Sequence, residues 1–152
     1  MLHAFVFVFF FLFLNFSYQT AFSQERSYVG SKACSDCHPD EYENFNTYAK
    51  KATSSKSIKI MSDKLIEEER EECYGCHTTG YKKPGGFESF DKTPEMENAG
   101  CEVCHGPGSE HIETGDPDQI KGSLTLDDCT GCHNTERVNS FGFKPLIYGG
   151  AH

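Results

Sequence analysis

All eight cysteines of this 152-residue chain fall in four copies of one pentapeptide, Cys-x-x-Cys-His. The copies, numbered motifs 1 to 4 in chain order, end at His38, His77, His105 and His133. Two thiols three positions apart can form thioether bonds with one porphyrin, and the imidazole that follows can bind its iron. The pattern predicts four covalent c-type haems, attached through Cys34, Cys37, Cys73, Cys76, Cys101, Cys104, Cys129 and Cys132.

Two other kinds of site also use Cys-x-x-Cys pairs, namely structural zinc sites and disulfide frameworks. Neither requires a histidine directly after the second cysteine, yet all four motifs have one. A disulfide framework is also expected to include cysteines outside the motifs, and this chain has none. The sequence favours four haems and leaves zinc and disulfides as alternatives.

The N-terminal segment has the features of an export signal. Residues 4–14 form an apolar run of 11, which is too short to span a bilayer unaided, and Ala21 and Ser23 supply the small residues of a cleavage site. We expect a signal peptide at 1–23, a single domain at 24–152, and a periplasmic or extracellular location. The segment has no Lys or Arg, so an uncleaved membrane anchor is the alternative.

The remaining chain is poor in apolar residues. Eight of the 13 phenylalanines lie in the signal, and apart from the haem cysteines only about a quarter of residues 24–152 are hydrophobic. Four porphyrins would supply the missing apolar surface. We therefore expect a small, mainly α fold with long loops and no substantial sheet, organised around its haems, and a largely unfolded chain without them.

The formal net charge of −9 lies entirely outside the signal. Such acidity excludes nucleic acid as a partner and suits a redox partner with a basic docking face. The alternative is that the acidity only keeps an exported protein soluble. A membrane contact is expected only if the signal is uncleaved.

Local patterns predict short helices before the motifs. Apolar spacing after Pro39 indicates a helix over 39–52, followed by a polar linker at 53–59. The other predicted features are a helix over 63–73 capped by Ser62 or Asp63, a loop at 78–92, a short helix from Thr93 that ends at Gly100, and a capping box of Thr125 with Asp128.

The number of residues that can bind the sixth coordination position of each iron helps to distinguish an electron carrier from an enzyme, because an enzyme needs an iron with an open position. Outside the motifs and the signal, two histidines remain, His111 and His152, which are too few for four haems. Glycines before His111 allow a sharp turn over a neighbouring haem, and His152 ends an apolar tail. Met61, Met96 and lysines are the other candidates.

Three segments resemble the multihaem cytochrome family typified by the nitrifier tetrahaem cytochrome that accepts electrons from hydroxylamine oxidoreductase. These segments are 28–42, 73–81 and 100–111. The resemblance implies that the second haem is five-coordinate, with His111 as distal ligand of the first haem and His152 as that of the third.

The family's ligand for the fourth haem is a histidine on the first helix, and here the chain departs from the pattern. Phe45 is followed by Lys50, Lys51 and Ala52, with no histidine. A lysine amine can bind ferric iron once it has lost its proton, so Lys50 or Lys51 is a candidate, and Met61 is the alternative. Both lysines could instead be ordinary cations at a helix end.

The expected function is electron transfer by an exported tetrahaem cytochrome in a respiratory chain. One alternative is a small reductase that uses an open iron at the second haem, with Tyr81 and Lys82 as the nearest proton donors, on a substrate such as nitric oxide or hydroxylamine. The other is self-assembly into a polymeric haem wire, for which His152 is the residue suited to bind iron across subunits.

Overall fold

The structure is a computed structural model that describes residues 25–134, which contain all four motifs. The signal peptide 1–23 and His152 lie outside these residues, so both stay predictions. The described α-helices are α1 (Ser31–Cys34), α2 (Pro39–Tyr48), α3 (Ser55–Met61), α4 (Glu67–His77), α5 (Cys101–His105), α6 (Ser109–Thr114) and α7 (Leu126–Thr130). The described chain contains no strand, so the predicted mainly α fold with long connections is confirmed.

The first predicted helix is shorter than its apolar spacing indicates. Helix α2 ends at Tyr48, Ala49 is extended (φ −83°, ψ 119°), and a 3₁₀ helix follows over Lys50–Thr53. Ala49 is buried, and it makes the last helical bond by donating its N–H to the carbonyl of Phe45. The break therefore gives the two lysines a different orientation from the one that a continuous helix over 39–52 predicts.

The linker predicted at 53–59 is wrong, because helix α3 occupies Ser55–Met61. Ile58 is buried in the core, and the Ser55 N–H and hydroxyl both donate to the side-chain oxygen of Asn98, at 3.0 and 2.9 Å. This distant amide satisfies the start of α3, where helix donors otherwise lack partners. A contact over 43 residues is invisible in a local pattern.

The helix predicted at 63–73 begins later and continues through motif 2. Ser62–Lys64 is a separate 3₁₀ helix, and α4 runs over Glu67–His77. The Glu69 carboxylate accepts the N–H of Ile66 at 3.1 Å, which satisfies a donor at the N-terminus. Glutamate three residues inside the helix, rather than Ser62 or Asp63, therefore determines where α4 begins.

The apolar core is small and lies against α4. Its buried members are Ile58, Tyr74, Phe87 and Met96, with Tyr28, Cys73, Tyr81 and Phe90 partly buried around them. The rings of Tyr74, Phe87 and Phe90 have centroids 5.1–6.0 Å apart. Phe87 and Phe90 lie in the predicted 78–92 loop, which has no helix or strand.

Thr79, the second residue after motif 2, joins this loop to a later segment of the chain. Thr79 donates its N–H to the carbonyl of Met96 at 2.9 Å, and its hydroxyl donates to the carbonyl of Asn98 at 2.6 Å. The predicted helix from Thr93 is only a 3₁₀ turn, Pro94–Met96, because this segment instead bonds back to Thr79.

The capping box before motif 4 forms as predicted. The Asp128 carboxylate accepts the N–H of Thr125 at 2.7 Å, and Lys121 forms an ion pair with the same carboxylate. These partners lower the pKa of Asp128 to about 2, with the Lys121 hydrogen bond as the largest cause. None of the helices within residues 25–134 is long and apolar enough to cross a membrane.

Candidate haem-binding sites

Each motif forms one helical turn. In motifs 1 and 4 the histidine N–H donates to the carbonyl of the first cysteine at 2.9 Å, from His38 to Cys34 and from His133 to Cys129. Motifs 2 and 3 lie inside α4 and α5. Residues three and four apart share one side of a helical turn, so both thiols and the imidazole of each motif lie on the same side.

The donor groups fit haem attachment. All eight cysteines are free thiols, at intermediate exposure or, for Cys37, exposed. Within residues 25–134, no three His, Cys, Asp or Glu side chains come together as a metal-ion site. The motifs therefore present four separate pairs of thiols, each with its own histidine, which is the donor set that four haem c groups require.

Two motif histidines are oriented by backbone carbonyls. The Nδ1 of His77 lies 3.0 Å from the carbonyl of Ser54, and that of His105 lies 2.6 Å from the carbonyl of Lys121. A carbonyl can only accept, so Nδ1 carries the proton in each ring, and Nε2 is left as the nitrogen for iron. A backbone carbonyl bonded to the nitrogen that faces away from the metal is typical of histidines that bind metals.

His111 has the same arrangement and faces His38. Its Nδ1 donates to the carbonyl of Asp116 at 2.9 Å, which leaves Nε2 for a metal. Its ring centroid lies 6.3 Å from that of His38, with 23° between the ring planes. The short helix α6 presents this ring, and Gly115, directly after the helix, ends it in the left-handed conformation (φ 69°).

The separation of these two rings matches a shared metal. Two imidazoles on opposite sides of one metal, each with a metal–nitrogen bond of about 2 Å and a nitrogen about 1 Å from its ring centre, have centroids about 6 Å apart. The observed distance exceeds the spacing of two rings in face-to-face contact. It supports the prediction that His111 is the distal ligand of the first haem.

The thiols show which motifs are neighbours. The Cys34 thiol of motif 1 hydrogen-bonds with the Cys101 sulfur of motif 3, which lowers the pKa of Cys101 to about 6 and raises that of Cys34. Burial and then Cys76 of motif 2 raise the pKa of Cys132 of motif 4 to about 11. These shifts concern the thiols before haem attachment, because thioethers do not titrate.

Motifs 3 and 4 are also neighbours. Burial raises the pKa of the Cys104 thiol, and the nearby Cys129 raises it further. Together with the contacts of Cys34 with Cys101 and of Cys76 with Cys132, this places the motifs in the spatial order 1, 3, 4, 2. The spatial order therefore differs from the order along the chain.

The structure distinguishes between the two candidate lysines. Lys50 is exposed, whereas Lys51 is partly buried and its charge reaches motifs 3 and 4. Burial and then the charge of Lys51 lower the pKa of His133. Within the described residues, the Lys51 ammonium forms no salt bridge or hydrogen bond. Lys51 therefore lies beside motif 4, for whose haem the resemblance implies a first-helix ligand.

The two methionine candidates occupy different environments. Met61 is 44% exposed at the end of α3, and Met96 is buried in the aromatic core, 2% exposed. The Met96 side chain is therefore engaged in the apolar contacts of that core. His152, the predicted ligand of the third haem, lies outside the described residues.

The two proposed proton donors near motif 2 have other partners. Tyr81 stacks edge-on against Tyr74, with ring centroids 5.2 Å apart. Lys82 forms a 3.1 Å ion pair with Glu71 at the surface, which raises the pKa of Lys82 and lowers that of Glu71. Neither arrangement is that of a proton donor held beside an open iron.

One buried carboxylate was missed by reasoning from the sequence. Glu102, between the two cysteines of motif 3, is 1% exposed and accepts backbone N–H groups from Gly30, 72 positions away, and from Gly108, six positions away. The residues between the cysteines of a haem motif have no required identity, so the motif itself did not single out Glu102. The glycines before and after motif 3 were the one local sign of close packing.

Known proteins resemble this chain in sequence. Residues 33–106 match the family model described as "Cytochrome c554 and c-prime". Cytochrome c-554 of Nitrosomonas europaea is 27% identical over 113 residues, which cover 64% of this chain and 48% of that protein. The chain therefore matches about half the length of this curated relative.

A solved structure also resembles it in fold. The reduced state of cytochrome c554 from Nitrosomonas europaea superposes with a TM-score of 0.58 and 18% identity. The match covers 83% of this chain and 84% of the other. At this identity the likeness concerns the fold, and it agrees with a helical chain that has little core of its own.

Proposed function

We propose that this chain is an exported tetrahaem cytochrome that transfers electrons in a respiratory chain, because residues 33–106 match the family model described as "Cytochrome c554 and c-prime". The family carries haem c, and the eight cysteines attach four such groups. When bound, each haem supplies a reversible one-electron couple, while the protein supplies spacing, axial ligands and burial. The observation that carries the proposal is the spatial order of the motifs.

Neighbouring motifs in the order 1, 3, 4, 2 make one continuous route for electrons. Motif 1 touches motif 3 through Cys34 and Cys101, and motif 4 touches motif 2 through Cys132 and Cys76. Cys104 and Cys129 link motifs 3 and 4. An enzyme needs one reactive iron, whereas a row of neighbouring sites with two ends is suited to accepting an electron at one end and donating it at the other.

The surface beside motif 2 suits a basic redox partner. Helix α4, which ends in motif 2, has an exposed acidic face formed by Glu67, Glu68, Glu69 and Glu72. Opposite charges steer two proteins into an encounter and orient them. We infer that a partner docks here, next to one end of the route, and that export by the predicted signal at 1–23 brings the chain to such partners.

The first prediction tests the carrier function on the mature holoprotein. Its intact mass should show four haem units retained after acid–organic extraction, and all four should be reduced and reoxidised reversibly. Electron exchange with a basic soluble cytochrome c should slow severalfold between about 10 and 200 mM salt, because screening weakens attraction between exposed charges. Stopped-flow absorbance measures this rate.

Two comparisons define the outcome of that test. The double variant E68Q/E72Q should slow exchange with the basic partner at low salt, whereas E41Q/E43Q on α2, a charge change of the same size, should change it less. Fewer than four haems would contradict the cofactor assignment. Electron exchange that does not depend on salt would contradict the proposed acidic docking face, but it would not contradict electron transfer as the function.

The ligand set of the proposed carrier includes a lysine. His38, His77, His105 and His133 would bind the four irons on one side, and the distal ligands would be His111 on the first haem and His152 on the third. The proposed ligand of the fourth haem is Lys51 rather than Lys50, because Lys51 is partly buried and its charge acts on motif 4.

The second prediction tests this lysine. K51A should convert one low-spin haem to high spin, since it removes the proposed amine ligand, and K51H should keep four attached haems and restore low-spin ligation. K50A is the matched control and should leave the spectrum unchanged. Near-infrared magnetic circular dichroism distinguishes amine from imidazole ligation. If K51A retains the wild-type spectrum, Lys51 is an ordinary cation and Met61 is the next candidate.

A reductase remains the second candidate because the distal residue of the second haem is unassigned. Against it, Tyr81 and Lys82 already have structural partners. Turnover of nitric oxide or hydroxylamine by the purified holoprotein, abolished by an H77A substitution, would favour this alternative. A polymeric assembly would instead show filaments that are lost when His152 is replaced.

A further inference from the structure

We propose that Glu102 is a positioning residue that holds the histidines on the two sides of the first haem, His38 and His111, at their observed separation. The inference rests on the proposed function, because it needs both histidines to bind the same iron. Glu102 itself would touch neither haem nor iron. Its role would be to join, through motif 3, the two segments that carry those histidines.

The Glu102 side chain is a buried anion whose partners are backbone amides. Its Oε1 accepts from Gly108 N at 2.7 Å and Val29 N at 3.0 Å, and its Oε2 accepts from Gly30 N at 2.8 Å. No lysine or arginine of the described chain forms an ion pair with it. A buried carboxylate is tolerated when charge-assisted hydrogen bonds replace water, and three amides serve that purpose here.

These three amides come from the two segments that matter for the first haem. Gly30 directly precedes α1, whose turn continues into motif 1 and His38. Gly108 directly precedes α6, which presents His111. Gly30 is only eight positions before His38, and Gly108 is three positions before His111, so a displacement at either amide would be transmitted to a ring.

Other contacts near Glu102 also join the segment before motif 1 to the segment before α6. Ser27 and Ser109 bond reciprocally, with Ser27 N donating to Ser109 Oγ at 3.0 Å and Ser109 N donating to the Ser27 carbonyl at 3.2 Å. A Cβ on Gly108 would lie 3.2 Å from Oε1 of Glu102, which is a tight contact. The two segments therefore meet with no spare volume at the carboxylate.

Glutamine cannot replace this carboxylate. Three N–H donors point at two oxygens, and replacing one oxygen by an NH₂ group leaves an amide donor facing another donor. A buried donor without an acceptor is unfavourable, so the segments at Gly30 and Gly108 should move apart. The change removes a charge but almost no volume, which makes E102Q the informative variant.

The experiment uses the holoprotein with four haems and follows the low-spin signals by electron paramagnetic resonance together with redox potentials. H111A first identifies the signal of the first haem, since it removes one of that haem's two proposed ligands. E102Q should shift or abolish this same signal and leave the other low-spin signals in place. E113Q, the same change on an exposed position of α6, is the matched control and should shift none.

The G108A variant tests the same proposal while keeping the Glu102 charge. If E102Q fails to fold, the result for G108A decides whether Glu102 positions the two rings. Its Cβ would press on the carboxylate, and at φ −93° alanine meets no backbone strain, so the same signal should shift. E102Q combined with H111A should add no further change at the first haem, because both act on one ligand pair.

Three results would overturn or redirect the inference. A first-haem signal unchanged in both E102Q and G108A would show that Glu102 does not position these rings. A shift confined to another haem in E102Q would mean that Glu102 acts by its charge on that haem, which also contradicts the proposal. If H111A changes no signal, the ligand assignment fails instead, and the haem count still tests the carrier separately.

Discussion

A chain in which all eight cysteines are replaced by serine should show no cooperative thermal unfolding transition, whereas the holoprotein should show one. Seven hydrophobic residues are buried within the described 110 residues, namely Phe45, Ala49, Ile58, Tyr74, Phe87, Met96 and Ala99. Backbone ordering costs roughly 1–2 kcal/mol per residue, and so small a core cannot offset it. Covalent haems would supply the apolar surface that the chain lacks.

Circular dichroism against temperature and dispersion of amide signals in NMR spectra measure this result. The remaining structure of the serine variant should be confined to the aromatic cluster of Tyr74, Phe87 and Phe90, the densest group of apolar contacts. The unmodified chain produced without haem attachment, kept reduced, is the control for the serine substitutions. A cooperative transition in either apo chain would show that the polypeptide core is sufficient by itself.

The haem attached at Cys73 and Cys76 should be high-spin and should bind cyanide or nitric oxide, while low-spin haems do not. His77 would hold its iron from one side, and His111, His152 and Lys51 are already assigned to other haems. The hydroxyls of Thr78 and Thr79, which follow the motif, both donate to backbone carbonyls, those of Tyr74 and Asn98. They are therefore engaged away from any iron.

Titration with cyanide followed by optical and electron paramagnetic resonance spectra gives the number of haems that respond. We expect one of four in the wild-type holoprotein and two of four in K51A, because removal of the amine should open the fourth haem as well. In K50A, one of the four haems should still bind cyanide. Four low-spin haems that ignore cyanide would contradict the open second site and would also remove the basis of the reductase alternative.

Local sequence predicted some elements well because their determinants are close together in the chain. Pro39 at the first position and acids in the first turn of α2 started that helix where expected. Thr125 and Asp128 formed their capping box. Helix α3 was missed because its start is satisfied by Asn98, 43 residues away from Ser55, and no window of ten residues contains that partner.

The candidate sites likewise combine features that a local sequence pattern predicts with features that depend on distant contacts. The motifs predict the attachment cysteines and the four proximal histidines, and the glycines before His111 predict a ligand that turns back over a neighbouring haem. The choice between Lys50 and Lys51 required burial, which depends on the break at Ala49. Glu102 required the tertiary contacts of its carboxylate with Gly30 and Gly108.

The sequence by itself determined the covalent chemistry of this protein. Two cysteines and a histidine at fixed spacing form a complete haem attachment site within one helical turn, so its recognition needs no tertiary information. The count of four haems and the shortage of apolar residues also follow from the amino-acid sequence.

Only the tertiary structure decided which motifs are neighbours and which side chains meet across them. The spatial order 1, 3, 4, 2 and the approach of His111 to His38 depend on contacts between residues as many as 73 positions apart. Such contacts are determined by packing and long-range hydrogen bonds, which a local pattern does not contain. The proposed electron route, the proposed ligand pairs and the position of Glu102 therefore depend on the folded chain.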